Sequence, residues 1–321
     1  ANRVSYFFDF QGPSMAVDTM CSSSLMAVQM ACESLLKGDA RMAIAGGVNL
    51  SIHPKKYIGL SVGQIIGSSS ASRSFAQGDG YLPAEGVGAV LLKPLAHAIE
   101  DGDEIHAVIK SVAANHGGTT HGFHLPNMDA QVRLIEENFK KSGIDPRSIS
   151  YVESAANGSA LGDPIEIRAL TRAFQKFTTD QDFCAIGSVK SNIGHAEAAS
   201  GISQLSKVIL QLRHQQLVPT VMQGPLNPEI SFKDSPFHLQ QELQQWQRPV
   251  VSVDGERREV PLRATVSSFG AGGSNAHIIL EEYQAPLQPA EVHNSAGPQV
   301  VLLSARSVSY THLRAHETLL D

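Results

Sequence analysis

The stretch Val17-Asp-Thr-Met-Cys-Ser-Ser-Ser-Leu25 decides the fold class, because it leads from an apolar run through a sharp turn into a helix. Residues 15–19 are predicted to form a buried strand that ends just before Cys21. From residue 22 to 37 apolar side chains recur at helical spacing, and Gly38 follows as a C-terminal cap would. A strand, a tight turn and a helix in succession are the repeating unit of an α/β protein.

The chain as far as residue 283 continues this alternation of short apolar runs and amphipathic helical stretches. Continuous apolar runs predict strands that are buried on both faces. The predicted strands are residues 42–48, 89–92, 106–113, 149–153, 183–187, 265–268 and 276–281. The predicted helices are residues 95–100, residues 129–142, a segment that opens at Asp163, and residues 201–213. The pattern therefore predicts an α/β fold.

Length and composition narrow the classes of function. The chain has 321 residues, 42% hydrophobic and 17% charged, which fits a globular enzyme and excludes a disordered or collagen-like chain. A formal net charge of −6 offers no basic surface for nucleic acid or an anionic membrane. The sequence contains no apolar stretch of the roughly 18 residues that a membrane helix needs. Cys21, Cys32 and Cys184 follow neither disulfide nor zinc spacing, so we expect a cytoplasmic protein without a bound metal.

Cys21 is the candidate nucleophile. A thiol in the first turn of a helix feels the positive end of the helix dipole and lies near free backbone N–H groups. This position predicts a lowered thiol pKa and an amide that can bind an oxyanion. Cys32, on the apolar side of the same helix, and Cys184, inside a strand, are interpreted as small buried hydrophobic residues.

Two further segments carry candidate site residues. Val189-Lys-Ser-Asn-Ile-Gly-His195 places Lys190 and His195 in a turn after a buried strand. A single histidine there is often only structural, but the nearby lysine favours an acid–base element. In Ser267-Ser-Phe-Gly-Ala-Gly-Gly-Ser-Asn-Ala-His277, three glycines let the backbone approach a ligand closely, although any tight turn uses them as well.

Together these segments resemble the ketosynthase (β-ketoacyl synthase) domain of modular polyketide synthases, a member of the thiolase-like superfamily. The similarity runs from residue 1 to about residue 282. Its blocks are Asn2-Arg-Val-Ser-Tyr-Phe-Phe8, Asp18-Thr-Met-Cys-Ser-Ser-Ser24, Asp79-Gly-Tyr-Leu-Pro-Ala-Glu-Gly86, Leu161-Gly-Asp-Pro-Ile-Glu166, Lys190-Ser-Asn-Ile-Gly-His195 and Phe269-Gly-Ala-Gly-Gly-Ser-Asn-Ala-His277. The Pro-Ala-Glu-Gly variant and Ala114-Asn-His-Gly-Gly118 are most similar to the branch whose acyltransferases act in trans.

The resemblance implies a fold and an order of domains. The fold is an α/β thiolase-like fold of two βαβαβ-type halves in α-β-α-β-α layers, with its second half from about residue 110. Because the family's leading strands and helix are missing, we expect an N-terminally truncated ketosynthase domain over residues 1–283 whose exposed sheet edges make the isolated chain poorly soluble.

Two segments follow the predicted domain. Residues 284–299 are interpreted as a Pro- and Gln-rich linker. Residues 300–321 resemble the start of the segment after ketosynthases. Within this segment, residues 308–318 match a reading-frame translation of a transposon-end sequencing adapter. We interpret this match as an artefact. The alternative is that these residues are the genuine start of an amphipathic helix.

The resemblance also implies the site residues. Cys21 accepts the acyl chain, His195 assists and polarises the malonyl carbonyl, and Lys190, paired with the supporting Glu166, sets the electrostatics. The remaining implied contacts are the oxyanion amides of Cys21 and Ala271, and the pantetheine and substrate contacts of Asn157, Ser159, Phe269 and Gly270. Neither a metal nor a bound cofactor is implied, because substrates arrive on the phosphopantetheine arm of acyl carrier proteins. The implied partners are those carriers, other synthase domains and, in the parent protein, a second copy in a homodimer.

One position departs from the family. Elongating members carry a second active-site histidine in a His-Gly-Thr-Gly-Thr loop, whereas this chain has Ala155-Ala-Asn-Gly-Ser159. Loss of one such donor lowers the rate roughly 100- to 1000-fold, or about 2.7 to 4 kcal/mol. We therefore expect a non-elongating ketosynthase that passes an acyl chain on. The alternatives are that His116 or His121 replaces the donor and elongation persists, or that the domain is a catalytically silent docking scaffold.

Overall fold

The computed structural model describes residues 1–253 and 255–285. The chain divides into two compact units, Ala1–Tyr283 and Gln284–Asp321, and the first contains every element below. The predicted linker and the segment after it lie, from residue 286 onward, outside the described residues.

The described part contains the five predicted helices, with limits close to those predicted, and three short helices that the sequence did not predict. They are α1 (Asn2–Phe8), α2 (Ser23–Lys37), α3 (Lys55–Val62), α4 (Leu95–Glu100), α5 (Met128–Ser142), α6 (Gly162–Gln175), α7 (Lys190–Ile193) and α8 (Ser200–His214). Gly38 and Gly143 end α2 and α5 in the left-handed region, with φ of 79° and 65°. Glycine adopts this conformation without a Cβ clash, so both predicted helix ends are confirmed.

The strands form one large sheet and three strand pairs. They are β1 (Ala43–Asn49), β2 (Gly86–Leu92), β3 (Val108–His116), β4 (Tyr151–Glu153), β5 (Cys184–Gly187), β6 (Gln216–Leu217), β7 (Phe237–Leu239), β8 (Gln244–Gln245), β9 (Val250–Val253), β10 (Glu256–Glu259), β11 (Arg263–Phe269) and β12 (Ser274–Glu281). The large sheet has the order β3-β12-β11-β4-β5-β7. Its β11, β4, β5 and β7 are parallel, whereas β12 runs antiparallel to both of its neighbours.

Two apolar cores lie on opposite faces of the large sheet. On one face α5 and α6 cover the strands through Phe139, Phe174 and Ile279. On the other face α2 and α8 pack through Leu25, Ile202 and Ile278, and the β1–β2 pair contacts these helices from their far side. The resulting order of helix, sheet, helix and strand pair matches four layers of the predicted fold.

The outer face of the β1–β2 pair is exposed. Ile44 and Val48 on β1 and Val87 and Leu91 on β2 each expose more than half of their surface. Within the described residues this face therefore lacks the fifth, helical layer. Poor solubility of the isolated chain stays a prediction.

One predicted element is wrong. Residues 15–19 do not form a strand, because the described residues include no neighbouring strand that supplies a hydrogen-bonding ladder. This segment leads directly into a 3₁₀ turn, Met20–Ser22, that precedes α2. No helix in the part of the chain that the structure describes is long and apolar enough to cross a membrane.

Candidate active site

Cys21 lies in a tightly bonded turn at the start of α2. Met20, directly before it, has a left-handed φ of 57°, and Asp18 Oδ1 accepts its N–H at 3.1 Å. Ser23 Oγ accepts the N–H of Thr19 at 2.9 Å and donates to the carbonyl of Met20 at 2.6 Å. The side chains of Asp18 and Ser23 thus satisfy backbone groups of a strained turn.

Two distant elements fix the backbone of Cys21. Its carbonyl oxygen accepts hydrogen bonds from Ser200 Oγ at 3.0 Å and from Ser268 Oγ at 2.8 Å. Ser200 is the first residue of α8 and Ser268 lies near the end of β11. Behind the turn, a Cβ at Gly270 would lie only 2.3 Å from the carbonyl oxygen of Thr19. Position 270 therefore requires a glycine.

The thiol of Cys21 lies against the amide N–H groups of Ala271 and of Cys21 itself. These are the two amides that the sequence predicts as oxyanion donors, and that role stays a prediction. Burial nevertheless raises the pKa of Cys21, and Lys190 and the two amides oppose that shift only in part. The predicted lowering of the pKa is thus wrong in direction, because removal of the thiolate from water outweighs the helix terminus.

Lys190 and Glu166 are joined through the backbone of Ala155 and not by a direct ion pair. Lys190 Nζ donates to the carbonyl of Ala155 at 2.7 Å, and the N–H of Ala155 donates to Glu166 Oε1 at 2.7 Å. Burial raises the pKa of Glu166 and lowers that of Lys190, while the attraction between the two opposes both shifts. The predicted pairing is therefore indirect.

His195 is buried, with 1% of its surface exposed. Its Nδ1 accepts the N–H of Glu197 at 3.0 Å. Burial and the positive charges of Lys190 and Lys56 hold the pKa of His195 well below its ordinary value. In the neutral ring the proton therefore resides on Nε2, which makes Nε2–H a donor.

The block at residues 79–86 holds His195 in place. The backbone N–H of His195 donates to the carbonyl of Leu82 at 2.8 Å, and the carbonyl of His195 accepts the N–H of Ala84 at 3.0 Å. The Tyr81 ring packs edge-on against the imidazole, with ring centroids 4.6 Å apart.

The predicted pantetheine contacts lie in the loop before α6. Asn157 Oδ1 accepts the N–H of Ser159 at 3.1 Å, and Ser159 Oγ accepts the N–H of Gly162 at 3.0 Å. Both side chains are partly exposed, and these two hydrogen bonds shape the loop itself. Phe269 is half-buried at the end of β11, and Gly270 is buried next to it.

The two histidines considered as replacement donors differ in their surroundings. His116 Nδ1 accepts the N–H of Gly118 at 2.9 Å, so its Nε2–H points to the carbonyl of Gly272 at 3.0 Å. The donor of His116 is thus already engaged by the backbone. His121 is exposed.

Sequence reasoning assigned no separate role to Tyr81, Glu197, Ser200 or Ser268. Glu197 has a left-handed φ of 43° and forms an ion pair with Lys56 at 3.1 Å. Burial raises the pKa of Cys21 and of Tyr81, and the negative charge of Glu197 adds to both shifts. The sequence signal for a role of Glu197 in the site was its position two residues after His195. Among residues 1–253 and 255–285, no group of three His, Cys, Asp or Glu side chains could hold a metal ion.

Family models match most of the chain. The β-ketoacyl synthase N-terminal domain matches residues 1–98, and the β-ketoacyl synthase C-terminal domain matches residues 106–223. The ketoacyl-synthetase C-terminal extension matches residues 226–317. The chain therefore belongs to the β-ketoacyl synthase family, whose members transfer acyl groups, and it has the thiolase-like fold.

Individual relatives specify the subclass. Polyketide synthase PksL of Bacillus subtilis (strain 168) is 53% identical over 99% of this chain, and polyketide synthase ThaG of Burkholderia thailandensis is 50% identical over 98%. The chain spans 7% and 6% of those two proteins.

The chain is also similar to solved structures of ketosynthase domains. The oxazolomycin ketosynthase domain OzmH KS7 of Streptomyces albus JA3453 superimposes with a TM-score of 0.90 at 49% identity, over 99% of this chain and 54% of that one. The ketosynthase from module 6 of the bacillaene synthase of Bacillus subtilis 168 gives 0.82 at 41% identity, over 88% of this chain and 50% of that one. Within its family the chain is a ketosynthase of the modular polyketide synthase kind.

Proposed function

We propose that this ketosynthase accepts an acyl chain on Cys21 and passes it on without extending it. The Cys21 sulfur attacks the thioester carbonyl of a chain carried on phosphopantetheine, and the tetrahedral oxyanion lies between the amides of Cys21 and Ala271. The carbon–sulfur bond to pantetheine then breaks. The pantetheine sulfur leaves with the proton that the Cys21 thiol gave up, so the exchange of thioesters is balanced.

His195 serves as a hydrogen-bond donor in this proposal. Because Nδ1 is occupied by the N–H of Glu197, only Nε2–H can face a substrate carbonyl. Such a donor polarises the carbonyl of an incoming thioester but cannot take a proton while Nε2 carries one. Lys190 acts through its charge, which favours the thiolate of Cys21.

The single observation that carries the non-elongating proposal is the environment of Ala155. Its methyl group offers no donor at the position where elongating members have a histidine, and its backbone is already bonded to Lys190 and Glu166. His116 is a poor replacement, because its Nε2–H faces the Gly272 carbonyl. Stabilisation of the enolate formed on decarboxylation would fall to His195 alone, whereas thioester exchange keeps its sulfur and both amides.

The setting of the reaction is part of the proposal. We infer a cytoplasmic, homodimeric synthase in which acyl carrier proteins deliver and remove the chain and no metal or cofactor is bound at this site. The Pro-Ala-Glu-Gly variant at residues 83–86 favours acyltransferases that act in trans.

The test compares Ala155→His with the unsubstituted chain, called the parent from here on, and with two controls. Cys21→Ala removes the nucleophile, and Ala160→His adds an imidazole at an exposed position of the same loop. Each protein receives an acyl thioester and then malonyl carrier protein, and mass spectrometry follows acylation of Cys21 and formation of β-ketoacyl product. We expect the parent to be acylated without extension, and Ala155→His alone to gain extension by roughly 100- to 1000-fold. Robust extension by the parent would overturn the proposal.

The silent-scaffold alternative makes a different prediction for the same parent protein. A scaffold would leave Cys21 unacylated by thioesters and slow to react with iodoacetamide. Acylation of Cys21 that is absent from Cys21→Ala excludes it.

A further inference from the structure

A buried cluster of three side chains lies behind the turn that carries Lys190. Glu153, at the end of β4, is fully buried, and its Oε2 accepts the Tyr151 hydroxyl at 2.8 Å and lies 2.9 Å from Nζ of Lys207 on α8. Lys207 Nζ also donates to the Tyr151 oxygen at 2.8 Å. Acyl transfer as proposed above uses none of these groups.

The second oxygen of Glu153 leaves the cluster and reaches the backbone of the site. Oε1 accepts the N–H of Val189 at 2.6 Å, and Val189 directly precedes Lys190, where α7 begins. Strands β4 and β5 are parallel, and Glu153 lies opposite Gly187 at the end of β5. Glu153 therefore meets the chain where β5 gives way to α7.

We propose that Glu153, held by Lys207 and Tyr151, is a positioning residue that fixes the start of α7 and so places Lys190 and His195 for acylation of Cys21. With Oε2 held by two partners, the carboxylate directs Oε1 at Val189. From this anchored end, Lys190 reaches the carbonyl of Ala155. The link to acyl transfer rests on the proposed function.

Charge connects the same residues. The negative charge of Glu153 favours the protonated form of Lys190, and Lys190 in turn lowers the pKa of Cys21. The other groups that act on Lys190 are Cys21, Glu166 and Asp163. The other groups that act on Cys21 are Glu197 and the N–H groups of Ala271 and Cys21.

Two double variants separate the anchor from the charges. Glu153→Gln with Lys207→Met keeps an amide oxygen that can accept the Val189 N–H. Glu153→Met with Lys207→Met has nearly the same shape but no acceptor. Both variants lose the same two charges, and replacing a buried ion pair as a pair avoids leaving one charge unpaired. A difference between them therefore reports the hydrogen bond to Val189.

Three measurements on the parent and on both double variants test whether the hydrogen bond from Val189 to Glu153 positions Lys190. We expect the Gln/Met variant to acylate Cys21 within about threefold of the parent, and the Met/Met variant at least about tenfold more slowly at saturating thioester, with an unchanged half-saturating concentration. The amide of Val189 should exchange with deuterium faster in Met/Met than in Gln/Met. The pH midpoint of iodoacetamide alkylation should be higher in Met/Met, because Lys190 is less well placed.

Arg263→Gln with Glu281→Gln is the matched control. It removes the ion pair of Arg263 Nε with Glu281 Oε2 at 2.6 Å and, with it, the pair of Lys110 Nζ with Glu281 Oε1 at 3.0 Å. Both pairs lie on the same sheet, away from α7. This control should lose thermal stability but keep the parent's rate.

Equal rates and equal Val189 exchange in the two folded variants would overturn the proposal. If Met/Met does not fold, Lys207→Met alone replaces it, and parental rate and Val189 protection in that variant would also overturn it. Exchange and alkylation need no carrier protein. A parent that alkylates normally but accepts no acyl chain would contradict the proposed function and leave this test intact.

Discussion

Gly270 supplies a sharp test of how the Cys21 turn is held. A methyl group at position 270 would lie 2.3 Å from the carbonyl oxygen of Thr19 and 3.0 Å from Ser22 Oγ. The nearest atom belongs to the backbone and cannot rotate away, so it must move at least 0.7 Å to reach the 3.0 Å that Cβ contacts essentially never fall below. Ser22 Oγ donates to the carbonyl of Thr19, and the N–H of Thr19 donates to Ser23 Oγ, so these two bonds transmit the shift to Cys21.

The expected effect of Gly270→Ala follows from that displacement. Misplacing a reacting group by about 1 Å lowers a rate about 100-fold, which corresponds to about 2.7 kcal/mol. Overpacking a well-packed region lowers the free energy of unfolding by about 1–3 kcal/mol. Acylation of Cys21 followed by mass spectrometry and thermal unfolding measure the two effects.

Gly272→Ala is the control. Its methyl group would lie 3.5 Å from Phe123 Cζ and 3.7 Å from Met20 Sδ, which are ordinary contacts with side chains. We expect this variant to keep the parent's rate within about threefold. A Gly270→Ala protein with the parent's rate, or a Gly272→Ala protein that is equally impaired, would refute the reasoning.

Two further predictions concern pH. Lys190 lowers the pKa of Cys21, so Lys190→Met should move the pH midpoint of iodoacetamide alkylation upward, and an unchanged or lower midpoint would contradict this. Burial lowers the pKa of His277 to about 3, below the value of about 6.5 in an unfolded chain. The unfolded chain therefore binds more protons between these values, and the free energy of unfolding should fall by up to about 1.4 kcal/mol for each pH unit below 6.5. Urea unfolding of His277→Gln at pH 7 and pH 5 should show a weaker dependence on pH than the parent, and equal dependence would count against it.

Most helices and strands were predictable because their periodicity is local. Helix α5 has apolar residues at helical spacing and a glycine after its last turn, and both limits agree with the structure to within one residue. Residues 15–19 show where this fails, since an apolar run becomes a strand only when a neighbouring strand accepts its hydrogen bonds.

The candidate site was predictable as a set of residue types but not as a set of interactions. Cys21, Lys190 and His195 could be found because each lies in a distinctive turn of small residues. The indirect link from Lys190 to Glu166 could not, because it passes through the backbone of Ala155, which has the same N–H and C=O groups whatever its side chain.

Local sequence patterns are enough to assign the α/β class, the resemblance to ketosynthases, the place of the candidate nucleophile Cys21 at the start of a helix, and the alanine at position 155. Only the folded chain shows that burial raises the pKa of Cys21, that His195 presents Nε2–H, and that Ser200 and Ser268 fix the Cys21 backbone. The physical reason is the range of the forces involved. Helix periodicity and turn chemistry act between near neighbours in the chain, whereas desolvation and the hydrogen bonds at Cys21 depend on residues that only folding brings together.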